Sequence, residues 1–181
     1  MSYAIQNDYK KDHITLETKH GKVVMKLFPQ VAPNHVKRIQ ELVEEGFYNG
    51  LKFHRVIDGF MVQTGCPKGN GTGGSNKSNL KAEFNEIHHG KGIVSMARST
   101  DFNSANSQFF IMLGDAPSLD RQYTVFGQVI SGMQYVDMIK KGDSNRNGTV
   151  DNPDTIVSMY LGMPDELNSS SDFAASSPFT N

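Results

Sequence analysis

The chain has 181 residues, a hydrophobic fraction of 37%, a charged fraction of 20% and a formal net charge of -1. This length suits one domain with a sizeable core, and the near-zero charge gives no bulk attraction to nucleic acid or to an anionic membrane. The single cysteine, Cys66, excludes an intrachain disulfide, and neither a signal peptide nor an apolar run of membrane-spanning length is evident. We therefore expect a cytoplasmic protein of one domain.

Seventeen glycines and seven prolines break the chain into short segments, which favours many strands over long helices. The runs 13–18 and 23–28 alternate around a short turn and predict a hairpin. Pro33 then opens a helix with an apolar face, and Gly46 ends it. The chain therefore begins with two strands and one helix.

Further strand-like runs and a second helix follow. The predicted strands are 52–57, 60–64, 92–97, 108–113, 124–129 and 155–161. Before the last of these, Ser131 and Gln134 have the spacing of a capping box, and Gly142 is suited to end the helix that they would begin. The pattern predicts about eight strands and two helices.

This order lacks the regular strand–helix alternation of a doubly wound sheet. We predict a mainly β fold, a closed eight-stranded antiparallel barrel capped by two α-helices, because closure removes exposed strand edges. Residues 1–12 are expected to be an N-terminal extension, 13–163 the folded domain, and 164–181 a polar, flexible tail.

Three motifs resemble ligand sites, and each has a plainer explanation. Residues 69–74 satisfy G-x-G-x-x-G, but no helix follows to hold a pyrophosphate, so tight turns or close approach to a ligand are favoured. The segment 143–154 resembles a calcium loop, yet it ends in Asp instead of Glu, so ordinary turns are the better interpretation. His88 and His89 lack metal-site spacing and are expected to be solvated. We predict no metal and no cofactor.

Residues 53–63 combine a fixed charge with aromatic and thioether side chains. Period two places Phe53, Arg55 and Ile57 on one face, before a turn at Asp58. An arginine cannot serve as a base at ordinary pH, but its planar set of donors suits a carbonyl oxygen or another planar acceptor. Arg55 beside an apolar shelf is therefore suited to holding and polarising an amide.

Gln63 and Gln108 lie in apolar runs, where an amide without partners is costly in a dry core. On the outer face of a barrel, together with Arg55, they would line an apolar groove. The residues alone leave groove and core as equal alternatives. Four neighbouring side chains are assigned to the core: Phe53, Phe109, Ile111 and Phe126.

From about residue 14 to residue 161, six segments in order and spacing resemble the cyclophilin-type peptidyl-prolyl isomerases. The segments are Phe53-His54-Arg55, Gly59-Phe60-Met61-Val62-Gln63, Gly71-Thr72-Gly73-Gly74, Ser95-Met96-Ala97, Asn106-Ser107-Gln108-Phe109-Phe110-Ile111 and Val125-Phe126-Gly127. The resemblance implies the barrel with two helices, and cofactor-independent cis/trans isomerisation of X–Pro bonds in polypeptides, which assists folding. The implied protein is a monomer that binds proline-containing polypeptides, with no nucleic-acid or membrane partner.

The resemblance also implies roles for individual residues. Arg55 would be the catalytic cation, with Gln63 and Gln108 holding the substrate backbone and Ala97 and Arg98 along the groove. The proline pocket would be formed by four side chains: Phe60, Met61, Phe110 and Leu119.

Three positions depart from the eukaryotic pattern of that family. Ser118 replaces a frequent Trp, Arg98 replaces a common Asn, and Tyr123 replaces a usual His in the substrate-binding groove. Tyr123 and the absence of Trp resemble the bacterial branch, and the missing indole predicts weak cyclosporin binding. The departures keep open a proline-peptide binding or chaperone module with incidental turnover, and the 143–154 segment keeps open a calcium-regulated protein.

Overall fold

The computed structural model describes residues 12–168 and contains one antiparallel sheet of eight strands. The strands are β1 (His13–Thr18), β2 (Gly21–Leu27), β3 (Arg55–Ile57), β4 (Met61–Thr64), β5 (Ile93–Met96), β6 (Phe109–Met112), β7 (Val125–Ser131) and β8 (Ser158–Leu161). The helices are α1 (Pro33–Glu44), α2 (Met133–Asp137) and α3 (Asp165–Asn168), with 3-10 turns at Pro117–Leu119 and Ser144–Arg146. No helix in the described range is long and apolar enough to cross a membrane.

The strands follow the order β3-β4-β6-β5-β7-β2-β1-β8, and each neighbouring pair is antiparallel. This mainly β arrangement, a half-barrel with two main helices, confirms the predicted class and strand number. The segments that precede the two edge strands also touch, since Lys52 forms an isolated bridge with Thr155. The edges of the sheet therefore lie close to each other.

The sheet separates two apolar clusters. The larger one fills the interior and combines strand residues such as Leu16 and Phe126 with the buried face of α1, including Ile39 and Leu42. The smaller one lies on the other side of four strands and contains six buried side chains: Phe28, Met61, Ile93, Phe110, Met112 and Val125. Because neighbouring strand residues alternate between the two sides, the second cluster becomes the floor of a surface groove.

Helix α1 begins at the proline that the sequence predicted. Ala32 at the N-cap supplies no side-chain acceptor, so the first amides find one elsewhere. The Glu83 carboxylate accepts from the backbone N–H of Asn34 at 3.3 Å and of His35 at 2.9 Å. A distant acid therefore stabilises the positive end of the helix. After the helix, Gly46 adopts the left-handed φ of 71°, as expected for a stop.

The predicted second helix is wrong in its details. Helix α2 spans only Met133–Asp137, and its N-cap is Gly132 with no side-chain hydrogen bond. Ser131 is the last residue of β7, so it forms no capping box with Gln134, and the helix ends before Gly142. The pairing of Ser131 with Val24 in β2 explains the difference, because strand pairing holds the serine in an extended conformation.

The predicted face of Phe53 is also wrong. Phe53 is fully buried in the interior cluster, whereas Ile57 packs against the groove cluster. Strand β3 begins only at Arg55, so period two does not extend back to Phe53. The other core assignments, Phe109, Ile111 and Phe126, are confirmed.

The proposed extension, 1–12, lies outside the described residues except for Asp12. The proposed tail, 164–181, is described only to residue 168, where α3 forms a single turn.

Candidate active site

Strand register places the two key polar side chains beside an aromatic ring. Arg55 of β3 is paired with Gln63 of β4, and Gln63 is paired with Phe110 of β6. Directly paired residues of neighbouring strands project on the same face. Phe110 is in turn paired with Ser95 of β5. The four strands therefore carry a continuous row that runs from a cation to an apolar floor.

The Arg55 guanidinium is held by three hydrogen bonds. Its Nε donates to the backbone oxygen of Asn147 at 2.9 Å and one terminal nitrogen donates to Asn147 Oδ1 at 3.1 Å. The other terminal nitrogen donates to Gln63 Oε1 at 3.2 Å. Burial lowers the pKa of Arg55, and the nearby Tyr123 opposes that change. Arginine still keeps its charge at neutral pH, so the site contains a fixed, oriented cation.

The two glutamines form a chain of hydrogen bonds from this cation to the glycine-rich loop. Gln63 Nε2 donates to Gln108 Oε1 at 3.0 Å, and Gln108 Nε2 donates to the backbone oxygens of Gly71 and Gly73, both at 2.9 Å. The amides therefore have partners and line a groove. The same contacts give the G-x-G-x-x-G segment its role here, which is to supply carbonyl oxygens that orient Gln108.

A cavity of about 330 Å³ lies beside Arg55. Its lining unites the catalytic candidate with eight of the nine predicted substrate-binding residues: Phe60, Met61, Gln63, Ala97, Arg98, Phe110, Leu119 and Tyr123. The ninth, Gln108, lines an adjoining cavity of about 490 Å³ that shares Gln63, Ala97 and Arg98 with the first. The predicted residues therefore come together, divided between two connected parts of one groove.

Arg98 and Tyr123 form one wall of that groove. The Arg98 guanidinium carbon lies 4.3 Å from the centre of the Tyr123 ring and 4.6 Å from that of Phe102. Its Nε and one terminal nitrogen donate to the backbone oxygen of Gln122. Because stacking and hydrogen bonds act together, this second cation is fixed.

Ser118 is exposed on the turn before Leu119 and does not line the 330 Å³ cavity.

Asn147 is a site residue that the sequence analysis missed. It contributes two of the three acceptors for Arg55, and its φ of 55° is left-handed. An Asn-Gly pair often adopts that conformation, which is the available sequence signal. The sequence predicts only a turn for this pair, because nothing local connects residue 147 with residue 55.

The calcium-like segment does not gather its acids. Asp143 caps the Ser144–Arg146 turn, Asp151 pairs with Arg146 at 2.8 Å, and Asp154 faces Lys19 at 3.0 Å. Among residues 12–168 no group of three acidic, His or Cys side chains is placed to hold a metal ion. The geometry therefore favours ordinary turns for this segment.

The expectation of solvated histidines at 88 and 89 is half wrong. His88 is exposed, but His89 is fully buried, with its Nδ1 at 3.0 Å from the Asp120 carboxylate. Local sequence gives no sign of this, because Asp120 is distant along the chain.

The structure thus brings a groove, an oriented arginine and an apolar pocket together on one face of the sheet. The family model for cyclophilin-type peptidyl-prolyl cis-trans isomerases matches residues 13–161. The chain belongs to this family, and it is a peptidyl-prolyl cis-trans isomerase.

Relatives and solved structures agree with this assignment. A probable peptidyl-prolyl cis-trans isomerase from Brucella suis is 54% identical over 155 residues, covering 80% of this chain and 79% of that protein. Peptidyl-prolyl cis-trans isomerase B from Bacillus subtilis is 42% identical over 124 residues, covering 68% of this chain and 86% of that protein. A Cryptosporidium parvum cyclophilin, crystallised in the presence of the dipeptide Ala-Pro, has a TM-score of 0.76 at 27% identity, covering 84% of this chain and 99% of that one.

Proposed function

We propose that Arg55 is the catalytic residue and that the 330 Å³ cavity binds the proline ring of an X–Pro substrate. The observation that carries this proposal is that Arg55 lines the same cavity as the apolar side chains Phe110 and Met61. Such a pocket suits a small apolar ring, and the cation lies where the amide of that ring would be.

The chemistry needs stabilisation of a twisted amide. Rotation about a peptide bond has a barrier of about 18–20 kcal/mol, because the C–N bond is partly double. Uncatalysed X–Pro isomerisation therefore takes roughly 10–100 s at 25 °C. At the top of the barrier the amide loses its resonance, and the proline nitrogen has a lone pair that can accept a hydrogen bond.

Arg55 can supply that hydrogen bond. A guanidinium has five N–H donors, and three of them bind Asn147 and Gln63 within the described part of the chain. One N–H on each terminal nitrogen then remains for a substrate. A donor to the pyramidal nitrogen stabilises the twisted state more than either planar isomer, which is the condition for catalysis.

The remaining groove residues position the substrate. We assign the grip on the proline ring to the apolar walls Phe60, Met61, Phe110 and Leu119. Gln63 keeps one N–H for the substrate backbone, and Gln108 can accept from that backbone through Oε1, because both of its N–H groups bind glycine oxygens. Arg98 and Tyr123 form the opposite wall. Fixing the chain on both sides of the X–Pro bond leaves rotation about that bond as the free motion.

The direct test is Arg55→Ala, assayed with a peptide that contains one Ala–Pro bond. Removal of one preorganised donor lowers the rate by about 10²–10³ in comparable sites, and we expect such a loss in kcat/KM with an unchanged fold. Arg55→Lys should retain part of the activity, because a point charge replaces the planar donor set. Lys37→Ala removes a solvent-exposed cation and serves as the control.

Unchanged kcat/KM in Arg55→Ala would refute the assignment of the catalytic residue. Tight peptide binding by the wild type with negligible acceleration would instead support the proline-peptide binding module as this chain's physiological role.

We also propose that the partners are proline-containing polypeptides and that cyclosporin binds weakly. The Cryptosporidium parvum relative was crystallised in the presence of the dipeptide Ala-Pro, and the cavity beside Arg55 has apolar walls that suit a proline ring. Ser118, exposed next to Leu119, supplies no indole. A cyclosporin titration should therefore give inhibition only at high cyclosporin concentration. Inhibition at cyclosporin concentrations close to that of the enzyme would contradict this. The monomeric state and the cytoplasmic location stay predictions.

We further infer that the sheet closes into a barrel. Three backbone hydrogen bonds support closure: Phe53 N–H to Asp154 O at 2.9 Å, Ile156 N–H to Leu51 O at 2.8 Å, and Gly50 N–H to Ile156 O at 2.7 Å. They join the segments that precede β3 and β8. Amide hydrogen exchange at Phe53 and Ile156 should be as slow as in the central strands, and fast exchange there would indicate an open edge.

A further inference from the structure

Asp120 connects a loop and a turn behind the proline pocket. Its Oδ2 lies 2.7 Å from His88 Nδ1, and its Oδ1 accepts the backbone N–H of His89 at 2.7 Å. Asp120 directly follows Leu119, a wall of the pocket. The backbone oxygen of His89 also accepts the N–H of Ala116 at 3.0 Å. The carboxylate therefore ties the His88–His89 loop to the turn that carries Leu119.

The protonation of His89 follows from its partners. His89 Nδ1 lies 3.0 Å from Asp120 Oδ1, and a carboxylate can only accept, so Nδ1 carries a proton. His89 Nε2 lies 3.0 Å from Ser95 Oγ. Burial lowers the pKa of His89, so the ring is neutral and its Nε2 accepts the serine O–H. Both ring nitrogens of this fully buried residue are thereby satisfied.

The same ring supports the floor of the pocket. The His89 and Phe110 rings are stacked, with centroids 6.2 Å apart and planes at 18°. Phe110 also contacts Tyr123 edge-on at 5.7 Å. Since Phe110 lies between these two rings, its position depends on the His89 ring, which Asp120 and Ser95 hold in a fixed orientation.

We propose that Asp120 and His89 are positioning residues for the proline pocket, with Asp120 setting the place of Leu119 and His89 setting that of Phe110. The inference rests on the proposed function, because it explains how two walls of the proposed pocket are held. Neither residue lines the pocket, so each acts through a neighbour.

His88 links this arrangement to the solvent. It is half-exposed and faces Asp120, with Asp115 at 3.6 Å and the neutral His89 as its other titratable neighbours. The hydrogen bond to Asp120 raises the pKa of His88. Below that pKa the bond to Asp120 is charge-assisted, and above it a weaker neutral bond replaces it. The support of Leu119 should therefore loosen as the pH rises through the pKa of His88.

The test compares KM and kcat for Asp120→Ala, Asp120→Asn and His89→Ala with an Ala–Pro peptide, using a protease-free NMR exchange assay. Looser pocket walls weaken the binding of ground and transition states alike, so we expect KM to rise about tenfold with kcat nearly unchanged. Asp120→Asn keeps an acceptor, so its KM should rise by only about threefold. Asp137→Ala is the matched control, since it removes a carboxylate that pairs with Lys91 of the same loop.

The pH dependence provides a readout that a purely structural role would not change. In the wild type, KM should rise by about twofold between about pH 6 and pH 8, and this rise should vanish in His88→Ala and in Asp120→Ala. An unchanged KM in all three test variants, or destabilisation without a change in KM, would overturn the inference. If Asp120→Ala does not fold, Asp120→Asn and the His88→Ala pH profile decide the question.

Failure of this inference differs from failure of the proposed function. The proposed function fails when Arg55→Ala keeps its kcat/KM, whatever Asp120 does. The positioning roles fail when Arg55→Ala is inactive but the Asp120 and His89 variants bind substrate as the wild type does.

Discussion

Asn147→Gly separates the orientation of Arg55 from the stability of the loop that orients it. The substitution removes the Oδ1 acceptor at 3.1 Å from Arg55 but keeps the backbone oxygen that accepts from Nε at 2.9 Å. Glycine adopts the left-handed φ of 55° at this position without strain. Asn147→Ala removes the same acceptor but keeps a Cβ in that conformation, without the local hydrogen bonding that lets asparagine tolerate it.

The expected magnitude follows from the one lost contact. A hydrogen bond to a charged group contributes roughly 1.5–3 kcal/mol when it is buried. The bond between Asn147 and Arg55 is exposed to solvent, so water replaces part of it, and about 1 kcal/mol remains, which is a factor of about 5 in kcat/KM. In the free energy of unfolding, Asn147→Ala should be about 1–2 kcal/mol less stable than Asn147→Gly, because only alanine has a Cβ in the left-handed conformation.

The assay is a double-mutant cycle with Arg55→Ala. We expect Asn147→Gly to lower kcat/KM about fivefold when Arg55 is present and to have no effect on kcat/KM in the Arg55→Ala background. Urea unfolding of each variant measures stability separately. Wild-type kcat/KM in Asn147→Gly, or an equal loss in both backgrounds, would refute the idea that Asn147 acts by orienting Arg55.

Three further predictions concern stability. Glu83→Ala should lower the free energy of unfolding, measured in urea, by about 1–2 kcal/mol. It removes the only side-chain acceptor for the first amides of α1 in the described structure. An unchanged urea midpoint would exclude this capping role. The free energy of unfolding should decrease as the pH falls below 6.5, the ordinary pKa of histidine, because burial lowers the pKa of three histidines and protonation then favours the unfolded chain. Exposed His88, whose pKa is raised, acts in the opposite direction. Urea titrations that show no decrease at lower pH would contradict the prediction. The three histidines are His35, His54 and His89. Gly148→Ala should be destabilised by about 1–3 kcal/mol, because φ at this position is +81° and the new Cβ would lie 2.6 Å from Ile57 Cγ1. A Tm of this variant equal to that of the wild type would show that the loop adjusts without strain.

Strand content was predictable from local patterns, and so was the need of two amides for partners. Alternation and turn residues located all eight strands, although most are shorter in the structure. The cost of an unpartnered amide showed that Gln63 and Gln108 need partners, which they have, but it left core and groove as equal alternatives. These inferences succeeded because each depends on side chains that are close in sequence or on a general rule about burial.

The errors have a common cause in pairing between distant segments. Ser131 has the spacing of a helix cap, but pairing with Val24 extends strand β7 through it. Phe53 continues an alternating pattern, yet its backbone leaves the strand conformation before Arg55 and its ring enters the interior. In both cases long-range packing overrode the local preference.

The amino-acid sequence is enough to show that Arg55 is a permanent cation, that Phe110 and Met61 are apolar, and that short strands carry them. Those properties belong to the side chains and to the local backbone. Which groups surround that cation and the Phe110 ring depends on how the chain folds. Asn147 reaches Arg55, and Asp120 and His89 support the pocket from behind, because folding of the sheet brings together residues that no local pattern connects.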